Sequence, residues 1–123
     1  MISPSQKELF HKIREAKKSV SAGSIMIVDP IAIAADAIEL DYTLEDELID
    51  VLSGLLYATT PLHYTGTRPP QKSYEKQIQG LEIFAFSVES NRFKCKVYYK
   101  LALAEGICWL ISLHKDRARG KGL

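Results

Sequence analysis

The feature that most constrains this chain is a change of apolar period across one proline-rich stretch. Before it, apolar residues recur every three or four positions, the spacing of a buried helix face. Leu9, Ile13, Ala16 and Val20 make one such stripe, and Leu44, Leu48, Val51, Leu52, Leu55 and Leu56 make another. After it, Phe84, Phe86 and Val88 alternate with Ala85, Ser87 and Glu89, the period of a strand with one face in a core. Between them Thr59 to Lys72 reads TTPLHYTGTRPPQK, with three prolines and one glycine. That stretch fits neither period and predicts an irregular crossing. Helices first and strands second predict an α+β fold, with N-terminal helices packed on a small antiparallel sheet. A chain of 123 residues, 46% apolar and 25% charged, has room for one core and one domain, 1–123.

Local signals place the elements. Ser5 followed by Glu8 is a capping box for a first helix, and Gly23 is its stop. Ser24 to Val28 is a short extended piece. Asp29-Pro30 reads as N-cap and first residue of a second helix running through Glu39. Thr43 caps a third, with Asp46 and Glu47 in its acidic first turn. A brief helix or turn is expected over Ser73 to Gln79, and Gly80 opens the sheet region. Ser90-Asn91-Arg92 is a turn, Lys94 to Leu103 a second strand, and Ile107 to Lys115 a third.

Several function classes fall away. The net charge is +1, so a nucleic-acid argument must rest on local clustering. Two cysteines, Cys95 and Cys108, without a Cys/His pair at zinc spacing, suggest neither a disulfide framework nor a structural metal; both read as small apolar fillers. The N-terminus has no apolar leader region and no run approaches the ~18 apolar residues of a membrane span. The expectation is a protein of the cytosol.

The last two strands carry the first candidate site. A three-residue loop, Ala104-Glu105-Gly106, would pair Leu103 with Ile107, Leu101 with Trp109, Tyr99 with Ile111 and Val97 with Leu113, all on one apolar face. A two-residue loop would set Lys100 across from Ile111 and Tyr98 across from Leu113, mixing the faces, so the first register is expected. The other face then carries Lys94, Lys96, Tyr98 and Lys100 beside Ser112 and His114. Lys115, Arg117, Arg119 and Lys121 extend the positive charge. Cations interleaved with an aromatic suit a phosphodiester, because lysines neutralise phosphates and a tyrosine ring stacks a base. Cleavage of RNA through its 2′-OH needs a base, an anion stabiliser and an acid. Imidazole is the side chain suited to give or take a proton near neutral pH, so His114 is the candidate base or acid, and Lys100 or Lys96 would hold the anion. The bland alternative is a solvated sheet face.

The second candidate is the loop from Tyr64 to Glu75. Two prolines stiffen the backbone around Arg68 and Lys72, and Arg68 offers a bidentate fork for phosphate or carboxylate. Tyr74 and Glu75 would extend it. The bland alternative is a salt bridge tying the loop down. The loop precedes the first strand and is long enough to reach across the sheet, so Arg68 and Lys72 are expected in one cleft with Tyr98, Lys100, Ser112 and His114.

The segment Lys17-Lys18-Ser19-Val20-Ser21-Ala22-Gly23 resembles the opening of the motility quorum-sensing regulator (MqsR) toxins. The resemblance continues in order through Ala35 to Tyr42, Ser53-Gly54-Leu55, the strand Lys96-Val97-Tyr98-Tyr99-Lys100-Leu101 and the closing strand Leu110 to Lys115. It implies a RelE-like fold, metal-independent cleavage of mRNA, free or ribosome-associated, no cofactor, and a cognate antitoxin as protein partner. Tyr98 and Lys115 correspond to residues of the family's active site. The chain departs from the family where a loop with a functional lysine and a tryptophan-glutamine strand are replaced by Arg68 to Glu75 and Phe84-Ala85. The candidate residues are therefore His114, Tyr98, Lys100, Lys115 and Arg68 for chemistry, and Lys96, Lys72, Tyr74, Ser112 and Arg117 for substrate. A binding module that uses the same face without turnover is the alternative.

Overall fold

The computed structural model describes residues 4–117. Arg119 and Lys121 lie outside the described residues. Helix α1 spans Gln6–Ser21, strand β1 Ile25–Ile27, α2 Pro30–Leu40 and α3 Leu44–Ala58. Two 3-10 turns, Pro61–His63 and Lys76–Ile78, precede β2 (Phe84–Ser90), β3 (Cys95–Ala104) and β4 (Ile107–Lys115). The architecture is a small α+β fold. Among the described residues no helix is long and apolar enough to cross a membrane.

The capping chemistry is where the sequence puts it. Ser5 Oγ accepts from the Glu8 N–H at 3.1 Å, and a Glu8 carboxylate oxygen accepts from the Ser5 N–H at 3.3 Å. Such a cap contributes about 1 kcal/mol to helix stability. Gly23, with φ 75°, closes the helix in the left-handed region, where a Cβ is costly. Asp29 accepts from the Ala32 N–H at 3.2 Å with Pro30 at the first position of α2. Thr43 caps α3 by position but not by its side chain. Glu47 instead accepts from the Thr43 N–H, and that bond first, with Arg92 also contributing, holds the Glu47 carboxyl below its ordinary range.

The sheet has four strands in the order β1-β4-β3-β2, and it is mixed, not purely antiparallel. The extended piece expected after α1 joins it as an edge strand, with Ile25, Met26 and Ile27 lying parallel to Cys108, Trp109 and Leu110. All three helices contribute to one core against the sheet. Leu9, Ile13, Ile33, Leu52 and Leu56 meet Phe84, Phe86, Val97, Tyr99, Leu101, Leu110 and Leu113 there, every one of them buried.

The β3–β4 register corrects the expected one. The loop has two residues, Glu105 at φ 52° and Gly106 at φ 77°, the positive pair of a type I′ turn. Ala104 therefore faces Ile107, Leu103 faces Cys108, Ala102 faces Trp109 and Leu101 faces Leu110. The register then shifts by one residue, so that Lys100 faces Ser112, Tyr99 faces Leu113 and Tyr98 faces His114. Ile111, the extra residue, has no ladder partner and forms a β-bulge. The bulge resolves the conflict that made a two-residue loop unattractive: Leu113 turns inward while Ser112 and His114 stay outside. Trp109, expected in the main core, lies on the outer face instead. With Ile111 and Leu81 it packs on a second small cluster of Val28, Ile78 and Ala102.

Candidate functional site

The outer face of the sheet divides at the bulge. Towards the turn it is covered, because Ile78 and Leu81 of the segment before β2 lie against Ala102 and Trp109. Beyond the bulge it is open. There Ser87 of β2, Tyr98 of β3 and His114 of β4 stand in one cross-strand row, with Lys100 and Ser112 as the next pair and Glu89 opposite Lys96.

Tyr98 and His114 are stacked, with ring centroids 5.2 Å apart and planes inclined by 29°. His114 Nδ1 lies 2.7 Å from the Lys115 carbonyl oxygen. A carbonyl only accepts, so Nδ1 carries the proton and the neutral ring keeps its lone pair on Nε2. A hollow of about 270 Å³ opens here, lined by Tyr98, His114, Asp116 and Arg117. Asp116 takes part although it follows the strand. Its N–H donates to the Lys96 carbonyl at 2.8 Å, and its Oδ2 accepts from the Ser87 hydroxyl at 2.5 Å. The sequence reading ends the last strand at Lys115 and gives neither Asp116 nor Ser87 a place in the site. The period of two running through Ser112, His114 and Asp116 was the available signal.

Of the ten candidates, Tyr98, His114, Lys100, Lys96 and Ser112 share this face. Lys115 does not. It pairs with Val97, whose side chain is in the core, and it lines a separate opening with Glu39, Leu40, Asp41, Arg92 and Phe93. Alternation along a strand puts consecutive residues on opposite faces, so His114 and Lys115 cannot act together here. Arg117 lines the hollow while its guanidinium lies 3.6 Å from Asp36 and 3.7 Å from Glu39 of α2.

The expected shared cleft is not formed. Arg68 Nη1 donates to the Pro4 carbonyl at 3.0 Å, and the guanidinium sits 5.0 Å from the centre of the Tyr64 ring. Arg68 is thus a tie between the loop and the segment leading into α1, and its partner is not Glu75. The cause is Tyr64, which is buried against Phe84 and Phe86 and pins the loop to the outer edge of β2. Burial, first of all, raises the Tyr64 phenol above its ordinary range. Lys72 bridges to Glu82 through the backbone, its side chain exposed, and Tyr74 is 87% exposed. Neither lines the hollow.

No protein-family model and no curated protein matches this chain.

Proposed function

We propose that the open half of the outer face binds single-stranded RNA and cleaves it without a metal, in the manner of the RelE-like and MqsR-like toxins that the sequence resembles. The observation that carries this reading is the tautomer of His114. With Nδ1 donating to the Lys115 carbonyl, the neutral ring keeps its lone pair on Nε2, at a hollow that His114 and Tyr98 line together. In the proposed step Nε2 takes the proton of a ribose 2′-OH. The 2′-oxygen forms a bond to phosphorus as the bond from phosphorus to the 5′-oxygen breaks. The products are a 2′,3′-cyclic phosphate and a 5′-OH, the leaving oxygen receiving its proton from the Tyr98 hydroxyl. Lys100 and Lys96 sit on the same face to neutralise the phosphate. An mRNA substrate, on or off the ribosome, and a neutralising antitoxin belong to the same reading.

The test is incubation of the purified chain with mixed-sequence RNA in EDTA, with and without ribosomes. Cleavage ending in cyclic phosphates, lost in His114→Ala, is the expected result. RNA left intact in every condition removes the enzymatic reading.

One observation favours binding without turnover. Arg68 is tied to Pro4 and Lys115 lies on the opposite face of the strand, while Asp116 brings a carboxylate to the hollow that His114 lines. Association that weakens steeply with salt, with no cleavage, selects that reading.

A further inference from the structure

From residue 19 to residue 67 the chain carries eight carboxylates and neither lysine nor arginine. Helix α3 belongs to this block. Between α3 and the turn joining β2 to β3 lies a groove of about 300 Å³. Val51, Leu55 and Phe93 give it an apolar lining, and Asp50 of α3 brings a carboxylate to its wall. Tyr57, 86% exposed, forms part of the rim. The cation in the lining, Arg92, is already paired with Glu47. Among the described residues Asp50 makes no ion pair.

Gly54 points to the same place. Glycine inside a helix is unfavourable relative to alanine, and packing against a close neighbour is the usual reason to keep it. Here nothing lies within 4 Å of where a Cβ would stand. Gly54 lines the groove, so the space it leaves is open to something outside the chain.

We propose that this groove docks a basic segment of a partner protein, an arginine or lysine flanked by an apolar residue. The aliphatic stem lies along the space at Gly54, and the cation reaches Asp50 beside the face of Tyr57. The site uses none of the residues assigned to RNA and stands whether or not the hairpin face cleaves it.

The probe is a synthetic peptide of alternating arginine and leucine, read by fluorescence anisotropy, with a control in which glutamate replaces arginine. Binding of the arginine peptide alone is expected. It weakens about tenfold or more, an easily measured change, in Asp50→Asn and in Gly54→Leu. Gly54→Leu fills the groove while its melting temperature holds or rises, which separates a blocked site from a lost fold. Peptide-induced amide shifts at 50–58 and 89–93 support the assignment. Equal affinity across the variants, no binding, or shifts confined to Tyr98 and His114 overturns it. Self-association of the chain abolished by the same variants also overturns it, by making a second copy the occupant.

Discussion

The two halves of the β3–β4 hairpin are built from the same strands and do different work. Near the turn both faces are covered. Leu101, Leu103, Cys108 and Leu110 face the helices, and Ala102 and Trp109 face Ile78 and Leu81. Beyond the bulge one face is still core, with Val97, Tyr99 and Leu113, while the other presents Lys96, Tyr98, Lys100, Ser112 and His114. A single extra residue, Ile111, separates the two. It lets the ladder run from a type I′ turn into a stretch where leucine points in and histidine points out. A half buried on both faces and a half with one open polar face thereby share one pair of strands.

The largest effect expected from breaking this arrangement comes from moving the phase of β4. Deleting Leu113 removes a fully buried side chain and turns His114 towards the core. Loss of a buried leucine alone costs about 2–5 kcal/mol, and an unpaired buried polar ring adds to it. That is comparable with the roughly 5–15 kcal/mol of a whole domain, so circular dichroism should show an unfolded chain. Deleting Ile111 is the sharper control. Cys108, Leu110 and Leu113 then keep their faces in an unbulged ladder, and the protein should still melt cooperatively. If both deletions unfold it alike, the bulge is not what sets the phase.

Next in size is the contrast between His114 and Lys115. If the open face is the cleaving site, His114→Ala lowers RNA cleavage by about 10²–10⁴-fold, the range for a general base. Lys115→Ala changes it little, because Lys115 lies on the helix side with Glu39 and Asp41. Thermal melting of both variants checks that the fold is intact. A loss of activity in Lys115→Ala equal to that in His114→Ala would break the division of faces.

Much of this was legible beforehand because it depends on near neighbours. The Ser5–Glu8 box, the Asp29-Pro30 start of α2, Gly23, and β4 from Ile107 to Lys115 all follow from residues a few positions apart. What was not legible depends on distant partners. Ile25-Met26-Ile27 is too short to show alternation, and its partner strand lies at Cys108 to Leu110. The bulge is a compromise between turn geometry and core filling, and neither alone specifies it. Arg68 reads as an anion ligand until the Pro4 carbonyl and the Tyr64 ring are seen beside it. Lys96, Tyr98, Lys100, Ser112 and His114 share a face as expected, because period-two alternation beyond the bulge is the same in either register, whereas Lys94, expected with them, lies in the turn before β3 at φ 58°.

The half near the turn should also set the alkaline limit of stability. Burial, and secondarily Glu15, pushes the Cys108 thiol from 9.0 up to about 12. The protonated thiol is the neutral form, so the folded chain keeps a proton that the unfolded chain loses above pH 9. The contribution to stability is full below that pH and falls as pH rises towards 12, by about 1.4 kcal/mol per unit. Urea unfolding at successive pH values should show this decline, and Cys108→Ala should delay it to the tyrosine range near 10. A decline that begins at the same pH in both proteins would remove Cys108 as its source.

The smallest expected effect lies in the half beyond the bulge, at the buried neighbour of Tyr98. The Thr59 hydroxyl donates to the Leu55 carbonyl at 2.6 Å, so the Tyr99 hydroxyl, also 2.6 Å from Thr59 Oγ1, is the donor in their shared bond. This bond joins β3 to the end of α3 beneath the open face. Tyr99→Phe removes it while leaving Thr59 its own acceptor, and the ring stays against Phe86, 5.6 Å away. The expected cost is about 1 kcal/mol, that of one ordinary hydrogen bond, seen as a lower urea midpoint with an unchanged slope. If the open face binds RNA, that affinity should not move, because Tyr99 faces the helices. Replacing Tyr98 by leucine removes the stacking ring and should do the reverse, weakening RNA binding at nearly constant stability. A Tyr99→Phe variant that loses RNA affinity would mean that the buried bond positions the open face, and the two faces of the strand would then be coupled.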